Sequence, residues 1–292
     1  KTYIFTILFF LMATNIAIGQ TEHQCDFNCS PHRFVLRVHG APLMTKLVSD
    51  IYSSEAKSKF GYAFGTDLSY YFFNNGKFKS SVSLGFGLSQ YNSQYNLTYA
   101  DSIWASDVDN QNVLIKENIN EYVENQGIMF LDIPVKIGLE YTLSPRLDAY
   151  LNLGFTYGLA IQNQYDNAGI LTRTGYYPDI NVLLYDIDVE GSSYFYPSNK
   201  AMAGNGEFIV QNNTSFEAAL GLKYKLNLKW SVFGGFKYMQ GFQSIKQGDG
   251  MMNQLSASNY EFKSIMNRND KVIAQALGLE IGLAFNLGSC EK

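Results

Sequence analysis

Between Met129 and Tyr141 the chain alternates strictly: Met129, Leu131, Ile133, Val135, Ile137, Leu139 and Tyr141 are interleaved with Phe130, Asp132, Pro134, Lys136, Gly138 and Glu140. Side chains of a strand point to opposite faces at period two, so this stretch folds as a strand with one apolar face and one face of charge and glycine. Pro134 cannot donate to a ladder, which predicts a bulge or an irregular pairing at that point. No period of 3.6 competes with this pattern.

The same alternation recurs along the chain. Phe34, Leu36 and Val38 oppose Arg33, Arg37 and His39, and Phe60, Tyr62, Phe64, Leu68, Tyr70 and Phe72 oppose Gly61, Ala63, Gly65, Asp67 and Ser69. Further strands are expected around Ser81–Ser89, Ala149–Leu159, Phe216–Leu226, Trp230–Tyr238 and Leu277–Leu287, which gives about eight. Their connections differ in length in a regular way. Asn74-Asn75-Gly76-Lys77 has the residues of a tight hairpin turn, and Thr142–Arg146 and Asn227-Leu228-Lys229 are equally short. Between them lie a modest loop with Pro42 and Lys46 and long polar connections over 92–126, 162–213 and 243–270; the first two of these three are acidic.

Antiparallel strands joined by alternating short and long connections are expected of an all-β, up-and-down transmembrane barrel, with short periplasmic turns and long extracellular loops. Leu97–Trp104 and Val182–Asp188 have the composition to extend strands above the membrane, which would raise the count to ten. The rival is a soluble β-sandwich. Against it stand strand lengths of about ten residues or more, as a tilted membrane strand requires, and aromatics that fall into two groups. Tyr70, Phe72, Tyr141, Tyr224 and Trp230 belong near one rim, and Phe60, Tyr62, Tyr157 and Tyr238 near the other, as interfacial girdles do. The abundance of 21 Tyr, 21 Phe and 25 Gly against 6 Pro fits the same reading. With a net charge of −4 and no Lys/Arg-rich patch, the chain is not expected to bind nucleic acid.

Residues 1–19 have a Lys1 flank, an apolar run from Ile4 to Met12 and the small residues Ala17 and Gly19, as a cleaved signal peptide does. The expected divisions are therefore a signal peptide at 1–19, a periplasmic tail at 20–32, the barrel at 33–287 and a short tail at 288–292. Cys25, Cys29 and Cys290 fall in the two tails. A disulfide from Cys290 to Cys25 or Cys29 is expected in an oxidising compartment, one thiol being left over. His23, Cys25, Cys29 and His32 are spaced too loosely to rank as a zinc set above that disulfide, so no metal site is expected.

The inward faces carry both signs: Arg33, Arg37, Lys136, Lys223, Lys225 and Lys237 against Asp67, Asp132, Glu140, Glu217 and Glu280. An eight-stranded barrel is just wide enough for its side chains to fill it. In that interior the charges must pair to offset their desolvation, which predicts a closed plug in preference to a narrow polar conduit. An enzyme would need an activated nucleophile and its base. Only His23, His32 and His39 are available, His39 being placed near the outer end of the first strand, and no Gly-x-Ser-x-Gly element is present. A non-enzymatic barrel without a cofactor is expected. Its partners would be outer-membrane lipid and a protein met at the acidic loops or the periplasmic turns.

Leu131-Asp132-Ile133-Pro134-Val135-Lys136, the strand cores around Gly154 and Gly221, and Leu279-Glu280-Ile281-Gly282-Leu283-Ala284-Phe285 together resemble the outer-membrane β-barrel proteins of Bacteroidota, often called PorT-like. The end of the signal segment, Ala17-Ile18-Gly19-Gln20, is similar to exports of that phylum. The resemblance covers most of the mature chain and implies an outer-membrane barrel, with only a weak pointer to a secretion-accessory role.

Overall fold

The computed structural model describes residues 34–50, 52, 55–106, 109–185, 200–246, 264–268 and 271–287. These hold ten strands: β1 (Phe34–Ser49), β2 (Ala56–Asn75), β3 (Phe78–Ser106), β4 (Asn112–Ser144), β5 (Leu147–Tyr177), β6 (Val182–Tyr185), β7 (Lys200–Gly206), β8 (Asn213–Lys225), β9 (Trp230–Gly241) and β10 (Val272–Asn286). β1 to β5, then β8, β9 and β10, follow one another round a sheet that closes where β10 pairs with β1. All pairings are antiparallel, as in the β1–β10, β4–β5 and β5–β8 ladders. The result is an eight-stranded up-and-down barrel, with β6 and β7 added to the upper part of β5.

Burial is inverted relative to a water-soluble protein. Phe64, Phe86, Val135, Ile137, Phe155, Leu220 and Phe236 stand on the outside between 51% and 68% exposed, while Arg37, Lys136, Glu140, Glu217 and Glu280 are buried inside. An apolar outer surface of this extent has no place in water. It suits hydrocarbon, and closure of the ring satisfies every strand's backbone groups without an edge, the condition for crossing lipid. On β4 the lipid-facing residues run from Leu131 to Tyr141, about the length a tilted strand needs. At the lower rim Phe34 packs on Tyr70, Phe78 on Tyr141 and Trp230 on Phe285.

The short turns and both ends of the barrel lie together. Asn75 pairs with Phe78 across a turn in which Gly76 takes φ 59°, a conformation only glycine adopts freely. Ser144 pairs with Leu147, and the Leu287 N–H donates to Phe34 O.

Several connections prove to be strand. β1 runs through Pro42 to Ser49 in place of the loop expected there; Pro42 stays opposite Tyr62 on β2, and its missing N–H coincides with a gap in the β10 ladder between Gly40↔Ile281 and Leu43↔Gly278. Pro134 causes irregular pairing without a bulge. Its partner on β5 is Thr156, and the β3 ladder lapses between Leu84↔Val135 and Gly87↔Asp132 and resumes in the same register. Most of the 92–126 loop belongs to β3 and β4, paired as far as Ser106↔Asn112. The expected loop from 162 likewise begins as β5, which continues to Tyr177. Leu97–Trp104 is thus part of β3, and Val182–Tyr185 is β6.

Candidate functional site: a paired lumen beneath a strand arm

Two layers of charge fill the barrel. In the lower one the Glu140 carboxylate, on β4, accepts from Arg37 Nη2 at 2.9 Å and Tyr71 Oη at 2.5 Å, and from Lys223 Nζ. Arg37 Nη1 also donates to Asn152 Oδ1 at 3.4 Å. Below, Asp148 lies 3.2 Å from Lys79, 3.1 Å from Lys225 and 3.9 Å from Lys223. In the upper layer Lys136 sits 3.0 Å from both Asp67 and Glu217. Lys237 lies 2.8 Å from Glu217 and 3.6 Å from Glu280. Thr156 Oγ1 donates to Glu217 at 3.0 Å, and Tyr150 Oη to Glu280 at 3.5 Å. Strand parity brings these groups together: Arg37 faces Asp67 across β1 and β2, and Gly154, with no side chain, faces Glu217 across β5 and β8.

Of the sequence-predicted lumen residues, Arg37, Asp67, Lys136, Glu140, Glu217, Lys223, Lys237 and Glu280 meet in these layers. Lys225 is part-buried at the lower mouth on Asp148. Asp132 is buried four residues further up β4 than Lys136, with no basic group within 4.0 Å among the described residues. Arg33 lies outside the described residues, as do Cys25, Cys29, Cys290, His23 and His32. His39 is not at the rim. Because β1 continues another full stretch beyond it, His39 is buried in the lumen, with Nε2 3.2 Å from Asp67 and Nδ1 3.7 Å from Glu280. Tyr71, Asp148, Tyr150 and Lys79 were missed; Tyr71 is in phase with Asp67 on β2, a signal the alternation contained.

Above the charges the lumen turns apolar. Leu43, Tyr91, Ile128, Phe130, Met239 and Ala276 form one buried cluster with Met266 and Ile245 of the last connection, and Tyr91 stands edge-on to Phe130.

Higher still, outside the lipid-facing stretch of β4, Glu124 is fully buried and holds part of that connection. It accepts from Ser264 Oγ at 2.6 Å, Ile265 N at 3.0 Å, Gln126 Nε2 at 2.6 Å and Asn167 Nδ2 at 3.2 Å, and from Tyr122 Oη. Burial pushes its carboxyl above the ordinary value, while the donors from Gln126, Ser264 and Tyr122 pull the other way. Around it β3, β4 and β5 continue beyond the barrel as an arm. Tyr95, Leu97, Ile119 and Leu171 pack on one face of that arm, and near its tip Arg173 is paired with Glu117.

No family model matches the chain, and no curated protein matches it. Among solved structures it is similar to Neisserial surface protein A, with a TM-score of 0.34 and 9% identity over 87% of this chain and 97% of that one. It is also similar to Ail of Yersinia pestis in complex with the heparin analogue sucrose octasulfate, with a TM-score of 0.29 and 10% identity over 87% and 99%. A third is the TodX deltaS2S3 mutant monoaromatic hydrocarbon channel, with a TM-score of 0.19 and 8% identity over 88% and 91%. At such identities the likeness concerns shape alone.

Proposed function

We propose that the chain is a non-enzymatic barrel of a bacterial outer membrane, closed to ion flow, that acts through the arm it raises outside the cell. The observation that carries this reading is the division of the molecule along its axis. Below, six carboxylates (Asp67, Asp132, Glu140, Asp148, Glu217, Glu280) are set among six cations (Arg37, Lys79, Lys136, Lys223, Lys225, Lys237) under an apolar lid. Above, strands persist where no lipid demands them. The outward placement of the arm is supported by the short turns and both barrel ends sharing the opposite rim, which is the periplasmic one in barrels of this kind. The resemblance of Leu131–Lys136 to Bacteroidota barrels supports a source in that phylum.

Two measurements test the reading. Purified protein in planar bilayers is expected to give no steady current, whereas stable open-channel conductance would replace the plug with a conduit. Replacing Thr98–Glu121 by a two-residue Asn-Gly turn should leave the barrel folded and abolish contact with its extracellular partner. A shortened protein that retains every binding and envelope phenotype would remove the arm from the account.

A further inference from the structure

On the outer surface, just above the apolar band, five neighbouring strands from β2 to β7 form a concavity of about 680 Å³. Its floor is set by register. Asn92, Gly127 and Gln164 are paired in one row across β3, β4 and β5, and Asn125, Asp166 and Asn205 form the next row up across β4, β5 and β7. Paired residues point to the same face, so neighbouring strands present a field of side-chain amides, broken by Gly127 and by the Asp166 carboxylate. Gly127 makes room at its centre. A Cβ there would lie 3.1 Å from Asn92 Oδ1 and 3.9 Å from Gln164 Nε2, so the two amide heads flank an empty position. Asn92 is held in place, donating to Phe60 O at 2.7 Å and accepting from Gln90 Nε2 at 3.2 Å.

The position of the floor indicates where its ligand comes from. The row Phe64, Leu88, Leu131 and Leu159 faces lipid, and above it Tyr62, Gln90, Met129 and Gln162 mark the rim. The row of Asn92 is the next one, about 7 Å further along the strands. Exposed Phe60 stands at the cavity's edge and continues directly into the lipid-facing column of β2. A molecule anchored in the outer leaflet would put its headgroup here without leaving the membrane.

The chemistry of the lining indicates what the headgroup is. Each amide offers a donor and an acceptor, which matches a hydroxyl. Lys59 is outnumbered by Asp166 and Glu207 in the wall, which disfavours a phosphate. The volume lies in the range of small-ligand sites. We propose that this concavity binds the neutral sugar headgroup of an outer-leaflet glycolipid. The inference rests on the reading of the chain as a membrane barrel with its arm outward, and it adds a lipid ligand to that reading.

The test uses the full barrel in detergent micelles doped with equal amounts of digalactosyl diacylglycerol, phosphatidylcholine and phosphatidylglycerol, with retained lipid read by native mass spectrometry. The wild type is expected to keep the galactolipid about tenfold over either phospholipid, and Gly127→Trp, which fills the floor, is expected to remove that preference. Gly127→Ala meets only a movable amide head, and the double variant Asn125→Ala/Gln164→Ala removes floor groups without adding bulk. Both should weaken retention while the heat-modifiable band of a folded barrel is kept. Equal retention of all three lipids, preference for phosphatidylglycerol, or wild-type retention by Gly127→Trp would each overturn the proposal. So would free digalactose competing as well as the lipid, which would make the ligand a soluble glycan. A barrel that fails to enter micelles as a folded, heat-modifiable species would count against the membrane reading instead.

Discussion

Glu140 shows how a single side chain can be both expensive and indispensable. It is buried and receives Arg37, Lys223 and Tyr71 together. Removing it leaves the Arg37 guanidinium buried without a carboxylate and Lys223 with only Asp148 at 3.9 Å, and breaking a buried pair in this way typically costs about 3–5 kcal/mol. Glu140→Ala is therefore expected to lower stability by about that amount in urea unfolding from micelles, and a loss below about 1 kcal/mol would mean the pairs are solvated. Glu124 gives a pH signature of the opposite kind to an ordinary ion pair. Its folded-state carboxyl titrates above the unfolded one because burial outweighs its donors. Its contribution is then complete below the ordinary carboxylate value and declines as pH climbs through the folded value. Corrected hydrogen exchange at the Ile265 amide should be slower near about pH 4 than near about pH 8, and insensitive to pH in Glu124→Gln. Slower exchange at the higher pH would reverse the assignment.

At the scale of the strand, what could be read from the sequence depended on what each face meets. The lower half of β4 was legible because lipid selects Leu131, Ile133, Val135 and Ile137 on one side while the lumen selects Asp132, Lys136 and Glu140 on the other. The upper half of β3 was not. There Asn92, Gln94 and Asn96 alternate with Tyr91, Ser93 and Tyr95, and water and a polar interior leave period two without a contrast in hydrophobicity. Ending β1 at Pro42 also misplaced His39, since a proline opposite an intact β2 ladder does not stop a strand. The other charged lumen residues followed from parity alone; Asp148 and Lys79 escaped because each sits beside a turn. Packing adds a demand that no pattern reveals. Gly221 faces Gly235 across β8 and β9, and a Cβ on either would fall 2.6 Å from the Cα of the other. Gly235→Leu is expected to prevent assembly of the heat-modifiable folded form, whereas Phe236→Leu, beside it on the lipid face, should assemble normally.

For the whole molecule, one polarity governs each zone along the axis: lipid outside and charge inside across the membrane, an apolar lid above, and an amide-bearing arm beyond it. The inversion of burial across the membrane zone is the claim on which the rest depends. It is tested most directly by placing a nitroxide label singly at each position from Met129 to Tyr141, in protein whose Cys25, Cys29 and Cys290 are serine, and reconstituting it in vesicles. Accessibility to oxygen, which concentrates in hydrocarbon, should peak at Leu131, Ile133, Val135, Ile137 and Leu139 and fall at each residue between them. A profile without period two, or one in which Val135 and Ile137 are reached by a water-soluble nickel chelate as readily as by oxygen, would contradict a barrel that turns its apolar face to lipid.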